Sequence, residues 1–483
     1  MQQLVNIPRL VVGAPQGRSG KTTFTMALLS GLVKKNMVVQ SFKKGPDFID
    51  PSWHARITGR PCRNLDRFIM DEETIKQSLA KGIKGAEIGV VEGAMGLFDG
   101  VDLEGSGSTA EIAKIIGAPV VLVVNTTRMT RSVAAIVKGC IEFDSEVKVS
   151  GVILNKVARS RHENMLRNAI EHYCGIPVLG AIPKGKQFTI PDRHLGLIPA
   201  AENDELAAGI DAAGTEAGQY LDLDGLVEMA RGAKTLHVNT GDQDSNTLNL
   251  NIDSLTPGDS DNAGIRIGIC MDRAFSFYYP ENLEALSAAG ATLVPIDTIN
   301  DNQLPPLDGL YIGGGFPEIF PRELENNSDL RKQIRMAVND GLPVYAECGG
   351  LMYLGRSLKW QDENHADVCH SMVGALPFDV EMQRKPQGHG YIALEVEKEN
   401  PYFPVGTCLK GHEFHHSRII NLDTSCLQTA WRVTRGHGID GHGDGLVYKN
   451  VLASYTHLHA LGTSGWAPAL VKKAREYRDA RKG

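Results

Sequence analysis

Two stretches of this chain hold residue types that can do chemistry. In Leu342-Pro-Val-Tyr-Ala-Glu-Cys348-Gly-Gly350, a short apolar run enters a cysteine, two glycines and the helical pattern Leu351-Met-Tyr-Leu354. A nucleophile at such an elbow is held out on a sharp turn. Gly349 and Gly350 let other atoms approach the sulfur, and a helix N-terminus behind it favours thiolate. The plain reading of a lone cysteine is a space-filler, and three other segments weigh against it. Leu310-Tyr-Ile-Gly313-Gly-Gly315 reads as a strand ending in a glycine turn, able to offer N–H groups to an oxyanion. Ser454-Tyr-Thr-His457 supplies a histidine, and Ile265 to Cys270 reads as a domain's opening strand. A cysteine with a distant histidine is the minimum set for acyl transfer through a thioester.

The second stretch runs from the strand pattern Leu10-Val-Val-Gly13 through Ala14-Pro-Gln-Gly17-Arg-Ser-Gly20-Lys21-Thr22-Thr23 into the apolar run Phe24 to Val33. Strand, glycine loop, Gly-Lys-Thr and helix is the context of a phosphate-binding loop. Gly17, Gly20, Lys21, Thr22 and Thr23 are the ATP-binding candidates, and the Thr22 hydroxyl can bind Mg²⁺. Pro15 replaces a glycine of the strict pattern, which speaks against an ordinary motor-type ATPase. Glu92 closes the apolar run Ile88-Gly-Val-Val91 and is the first choice for holding Mg²⁺, with Asp47 second. Ser108 reads as a helix cap ahead of Glu111.

The segments around Cys348 resemble the triad-type glutamine amidotransferase domain in the form found in cobyrinic acid synthases. The resemblance implies that Cys348 attacks the glutamine side-chain amide and that His457 raises its nucleophilicity. Backbone at Gly314, Gly315 and Gly349 would hold the oxyanion, worth about 3 kcal/mol per donor. The larger class has a glutamate two residues after the histidine, where this chain has His459. A Cys–His pair without an orienting carboxylate is therefore expected. The loop at Gly17–Thr23 resembles that of the dethiobiotin synthetase and cobyrinate synthase group. Lys43-Lys-Gly-Pro-Asp47-Phe-Ile-Asp50-Pro51 resembles a signature of cobyrinic acid a,c-diamide synthases, with Lys44 and Phe48 as departures. Lys43, Lys44, Asp47, Phe48, Ile49 and Asp50 are thereby substrate candidates. Arg60 and Arg63 are expected to clamp substrate carboxylates through paired hydrogen bonds. The Asn155-Lys156 strand ending resembles a base-binding corner, so Asn155 is expected to read adenine.

Strands alternating with helices predict an α/β chain of two doubly wound parallel-sheet domains; the resemblances imply that the first is dethiobiotin synthetase-like and the second class I glutamine amidotransferase-like. The expected division is 1–232 for the phosphate-loop domain, 233–263 for a polar linker, 264–463 for the amidotransferase domain and 464–483 for a terminal helix. Phe275 to Tyr279 reads as packing first and as a lid or domain contact second. His412, His415 and His416 lack the spacing of a zinc site and are read as contacts to glutamine or substrate. A net charge of −7 over 483 residues argues against nucleic acid. No apolar run reaches a membrane span, and 8 scattered cysteines suit a reducing cytoplasm. A homodimer stays open.

Combined, the resemblances imply ATP-dependent, glutamine-hydrolysing amidation of the a and c acetate groups of cobyrinic acid, through an acyl phosphate. The co-substrates are ATP, L-glutamine and a polycarboxylate tetrapyrrole, with Mg²⁺ as cofactor. One alternative is a sirohydrochlorin-type ring, and from another class a regulatory ATPase carrying an inactive amidotransferase-like module.

Overall fold

A computed structural model describes residues 2–185, 192–193, 196–197, 215–216, 218–239, 264–361 and 367–482. The chain divides into two compact units, Met1–Ser245 and Asn246–Gly483.

The first unit is built on seven parallel strands. Their order is Arg63–Leu65, Val39–Lys44, Ile88–Glu92, Arg9–Gly13, Val120–Asn125, Val149–Val157 and Val178–Pro183. Runs such as Leu10-Val-Val and Val120 to Val123 are buried on both faces, as a sheet covered by helices on each side requires. On one face the helix Lys21–Lys34 packs Phe24, Leu28 and Leu32 on Leu10, Val12, Val90 and Ile153. On the other, Val11 and Val91 meet Leu79 and Ile112. Arg9–Gly13 lies at the centre, so the phosphate-loop candidate follows from the C-terminal edge of the sheet, where α/β folds bind ligands.

The segment expected to be linker begins too early. Leu236–Asn239 pairs antiparallel with Gln2–Val5. Leu236 and Val238 face inward while His237 and Asn239 face out, and that short period-two pattern vanishes when composition is averaged over the polar stretch. Residues 240–263, and most of residues 190–199, lie outside the described residues.

The second unit carries a ten-stranded sheet. Ala291–Ile296, Ile265–Cys270, Gly309–Ile312, Val344–Glu347 and Val451–Ser454 run parallel, as expected. The sheet then continues antiparallel through Gly443–Tyr448, Gln428–Arg435, Gly388–Val396, Cys408–His415 and His457–Leu458. Ser454 ends a central strand and His457 opens the edge strand, yet so few residues separate them that the chain spans only about 10 Å there. The antiparallel half must therefore curl until its edge returns beside the central strands. The terminal helix Trp466–Lys482 covers the parallel half, with Trp466, Leu470 and Ala474 on Ile267, Leu283 and Tyr345.

Candidate active sites

Cys348 leaves the strand Val344–Glu347 with φ 49° and ψ −99° and opens the helix Gly349–Leu354. A non-glycine residue held at positive φ stores strain that its surroundings must enforce. The enforcement is visible. A Cβ on Gly349 would stand 2.9 Å from the Gly315 carbonyl oxygen, and one on Gly350 would run into the Ile312 carbonyl. The Cys348 N–H donates to the Ser454 carbonyl at 2.7 Å. Register Glu347↔Ser454 puts the cysteine and the segment leading to His457 at the C-terminal ends of neighbouring parallel strands.

His457 is almost wholly buried beneath aromatic rings. Phe277 stacks on it at 4.4 Å and His412, its cross-strand partner, at 4.7 Å. The aromatic segment Phe275–Tyr279 thus packs, as read first from sequence, and supplies the platform for this imidazole. Burial, then His412 and His415, hold the His457 pKa well below the usual histidine range. Burial, then Glu318, push the Cys348 thiol well up, and only the Gly349 N–H pulls the other way to any extent. The resting pair is neutral thiol and neutral imidazole. The thiolate expected from the helix N-terminus is not favoured, because burial and then the charges of Glu318, Glu347 and Asp444 outweigh the Gly349 N–H of a helix only 6 residues long.

Gly314 does not take its expected place as an oxyanion donor. Its N–H donates to the Phe277 carbonyl at 3.3 Å, and a Cβ there would collide with the His457 ring. Gly314 makes room for the histidine, while Gly315 and Gly349 border the elbow. Among the described residues no carboxylate hydrogen-bonds His457, but one stands close by. Glu347 Oε2 lies 3.8 Å from His457 Nδ1. Its position one residue before the nucleophile hid it, because successive strand side chains point to opposite faces. His459, standing where the larger class has glutamate, faces Glu281 at 3.5 Å. His415 stacks on Tyr455 and its Nδ1 lies 2.8 Å from the Ser417 carbonyl, while His412 Nδ1 lies 3.2 Å from the Tyr279 hydroxyl. Among the described residues no three or more His, Cys, Asp and Glu side chains gather as a metal site.

In the first unit, Gly20 (φ 97°) caps the helix Lys21–Lys34. Lys21 Nζ donates to the Met95 carbonyl at 2.5 Å, and burial lowers its pKa to about 8 against the upward pull of Glu92. The Thr22 hydroxyl donates to Glu92 Oε1 at 2.7 Å and lies 3.1 Å from Asp50 Oδ2. Gly17 and Thr23 lie half-buried on the loop and first helical turn. Asn155 does not wait for a base. Its amide donates to the Ser19 carbonyl at 2.9 Å and occupies the space a Gly20 side chain would need. Ser108 caps its helix as expected, accepting from the Glu111 N–H at 3.2 Å.

Lys43 is buried among acids, not free for a substrate. Its ammonium is ion-paired with Asp50, lies 2.9 Å from Glu92 Oε1 and 3.4 Å from Asp47. Burial alone would depress it, but these three carboxylates push it well above the usual lysine range. His54 Nε2 lies 2.8 Å from Glu92 Oε2. Burial opposes its charge, yet its contacts with Cys62 and Glu92 raise it to about 10, and Lys43, His54 and Thr22 together hold Glu92 ionised despite burial. Asp50, pressed by burial and Asp47, is raised to about 7.

Of the residues expected to hold Mg²⁺, Thr22 and Glu92 meet here, with Asp50 beside them. The Thr22 hydroxyl meets both Glu92 and Asp50, while Asp47 accepts from the Ile49 N–H at 2.9 Å. Two carboxylates and a hydroxyl are the hard oxygen donors this ion takes beside phosphate and water, so the set fits. The arginine clamps are not borne out. Arg60 donates to Gln40 at 2.9 Å and to the Gly82 and Lys84 carbonyls at 3.0 and 2.9 Å, finishing a helix end. Arg63 is 2% exposed within its strand. Lys44 and Ile49 are buried at 7% exposure, whereas Phe48 is half-buried at the start of helix Ile49–Thr58.

Residues 10–198 match the family model described as the CobQ/CobB/MinD/ParA nucleotide binding domain, and residues 266–464 the CobB/CobQ-like glutamine amidotransferase domain. A protein of Magnetococcus marinus named cobyrinate a,c-diamide synthase is 44% identical over 97% of this chain and 98% of its own. The chain belongs to the cobyrinate a,c-diamide synthase family. Proteins of that name from Methanosarcina acetivorans and Methanothermobacter thermautotrophicus are 40% and 39% identical. They align over 99% and 97% of this chain and 97% and 100% of their own lengths. Membership accounts for the pairing of a nucleotide-binding unit with an amidotransferase unit. Among the described residues no helix is long and apolar enough to cross a membrane.

Proposed function

We propose that this chain is a C–N bond-forming ligase that amidates the a and c acetate groups of cobyrinic acid, using ATP and glutamine. One observation carries the reading. A strained thiol elbow beside a buried histidine, and a phosphate loop backed by an acid cluster, occupy one chain collinear with relatives named cobyrinate a,c-diamide synthase.

In the amidotransferase unit, Cys348 attacks the amide carbon of glutamine while its thiol proton passes to His457. Gly315 and Gly349 N–H groups hold the oxyanion, each contributing about 3 kcal/mol. The C–N bond breaks, the proton leaves with ammonia, and water then releases glutamate from the thioester. Neutral resting groups suit this order, because the thiol gives up its proton only as a substrate carbonyl arrives.

In the nucleotide unit, a carboxylate offers ammonia no leaving group until it is phosphorylated. The γ-phosphoryl of ATP passes to the acetate oxygen, giving an acyl phosphate and ADP, and ammonia displaces phosphate to leave the amide. Gly17, Gly20, Lys21, Thr22 and Thr23 hold the phosphates. Thr22, Asp50 and Glu92 would hold Mg²⁺, which supplies positive charge against the phosphate oxygens. Phe48, half-buried beside this cluster, remains a substrate contact on this reading.

The test is an assay of purified chain with ATP, Mg²⁺, glutamine and cobyrinic acid, read by mass spectrometry. Conversion of two carboxylates to amides is expected, with sirohydrochlorins as the competing acceptors. No amide on any ring, and no glutamine turnover, would overturn the reading.

A further inference from the structure

We propose that Glu347 is the positioning acid of the Cys348–His457 pair, filling from the nucleophile's own strand the role that position 459 fills in the larger class. The inference rests on the glutaminase reading above and goes one residue further.

Glu347 is a buried carboxylate with most of its acceptor capacity assigned. Oε1 accepts from the Leu458 N–H and the Tyr345 hydroxyl, each at 3.0 Å, and Oε2 accepts from the Tyr311 hydroxyl at 2.9 Å. Asn282 donates to the Tyr311 oxygen at 3.3 Å, so the carboxylate is fixed from several directions. One lone pair of Oε2 is left, and it faces His457 Nδ1 at 3.8 Å. That nitrogen is buried with no hydrogen-bond partner among the described residues. Leaving a buried polar atom unpaired is unfavourable. An approach of about 1 Å would make a hydrogen bond of ordinary length.

The chemistry gives the contact a purpose. A neutral imidazole carries one proton. If His457 is to take the thiol proton on Nε2, its own must sit on Nδ1, and a carboxylate at Nδ1 selects that tautomer and steadies the imidazolium. Glu347 is joined by a peptide bond to Cys348 and hydrogen-bonded to the residue after His457, so one carboxylate aligns both partners. Burial raises its pKa to about 7, opposed by Leu458, Tyr311 and Tyr345, while His412 and His415 face His457. It therefore changes charge within the working range.

The experiment compares glutaminase kcat, KM and pH profile in wild type, Glu347→Gln and Glu347→Asp, with melting curves as the fold control. Expected is a fall in kcat of about 100-fold in Glu347→Gln, with KM for glutamine little changed, loss of the acid limb of the kcat profile, and partial recovery in Glu347→Asp. If Glu347→Gln melts far below wild type, Glu347→Asp carries the test: a shifted acid limb at constant KM supports the role, and an unshifted limb overturns it. Unaltered kcat and profile in a folded Glu347→Gln would overturn it while leaving the amidotransferase reading intact. A wild type that turns over no glutamine would overturn both.

Discussion

The side-chain amide of Asn155 donates a 2.9 Å hydrogen bond to the Ser19 carbonyl, bracing the phosphate loop from the end of the strand Val149–Val157. It fills the space beside Gly20, whose φ of 97° already disfavours any side chain. Gly20→Ala should therefore abolish ATP-dependent amidation while glutaminase turnover continues. Asn155→Ala should weaken ATP binding about tenfold, the effect of losing one buried hydrogen bond, without changing the preference for ATP over GTP. Titration calorimetry with both nucleotides decides the matter, and an altered base preference would return Asn155 to the role of adenine reader.

The two chemistries should separate by mutation. Cys348→Ser should end glutamine-dependent synthesis yet leave synthesis with ammonium salts. Lys21→Ala should stop synthesis from either nitrogen source and spare glutamine hydrolysis. Parallel assays of amide and glutamate follow both, and loss of ammonium-dependent synthesis in Cys348→Ser would count against the division of labour.

Lys43 holds together three carboxylates in the first unit. Removing one partner of a buried charge cluster leaves the others uncompensated, and Lys43→Met should destabilise that unit by about 3–5 kcal/mol. Adding Glu92→Gln to this variant should recover part of the loss. Urea denaturation of the single and double variants tests the coupling, which simple additivity would refute.

His54 gives the first unit a pH-sensitive stability with a definite sign. Its folded pKa of about 10 lies above the ordinary histidine value of 6.5, so the folded state holds an extra proton between the two. The stabilisation is complete below the lower value and is lost as pH rises through the upper one. The stability advantage of wild type over His54→Gln should shrink steadily across that alkaline window. Melting temperatures measured in a buffer series would show it, and a constant difference would mean that the imidazole stays neutral.

Much of this was legible from local pattern. The strand-loop-helix context of Lys21 and the elbow at Cys348 are set by residues adjacent in sequence, and both formed where expected. The misses share a cause. Lys43, Arg60 and Asn155 carry groups typical of ligand contacts, but Glu92 beside Lys43, the carbonyls that Arg60 finishes and the Ser19 carbonyl that Asn155 braces are distant in sequence, which no local spacing records. Burial turned Lys43 into a structural countercharge and Arg60 into a helix terminator. Glu347 was overlooked for the opposite reason: it was read as part of the elbow, and only the return of the edge strand brings His457 to it. The strand Leu236–Asn239 needed its partner Gln2–Val5, at the far end of the unit, to make its faint alternation meaningful.

The curled sheet also sets a timetable for synthesis. Val451–Ser454 lies between the parallel and antiparallel halves, and His457 follows it, so a chain still on the ribosome short of these residues lacks both a middle strand and the proposed proton acceptor. Prematurely terminated polypeptides would carry the thiol but could not hydrolyse glutamine, and a cell making them would be spared a futile drain on its nitrogen pool.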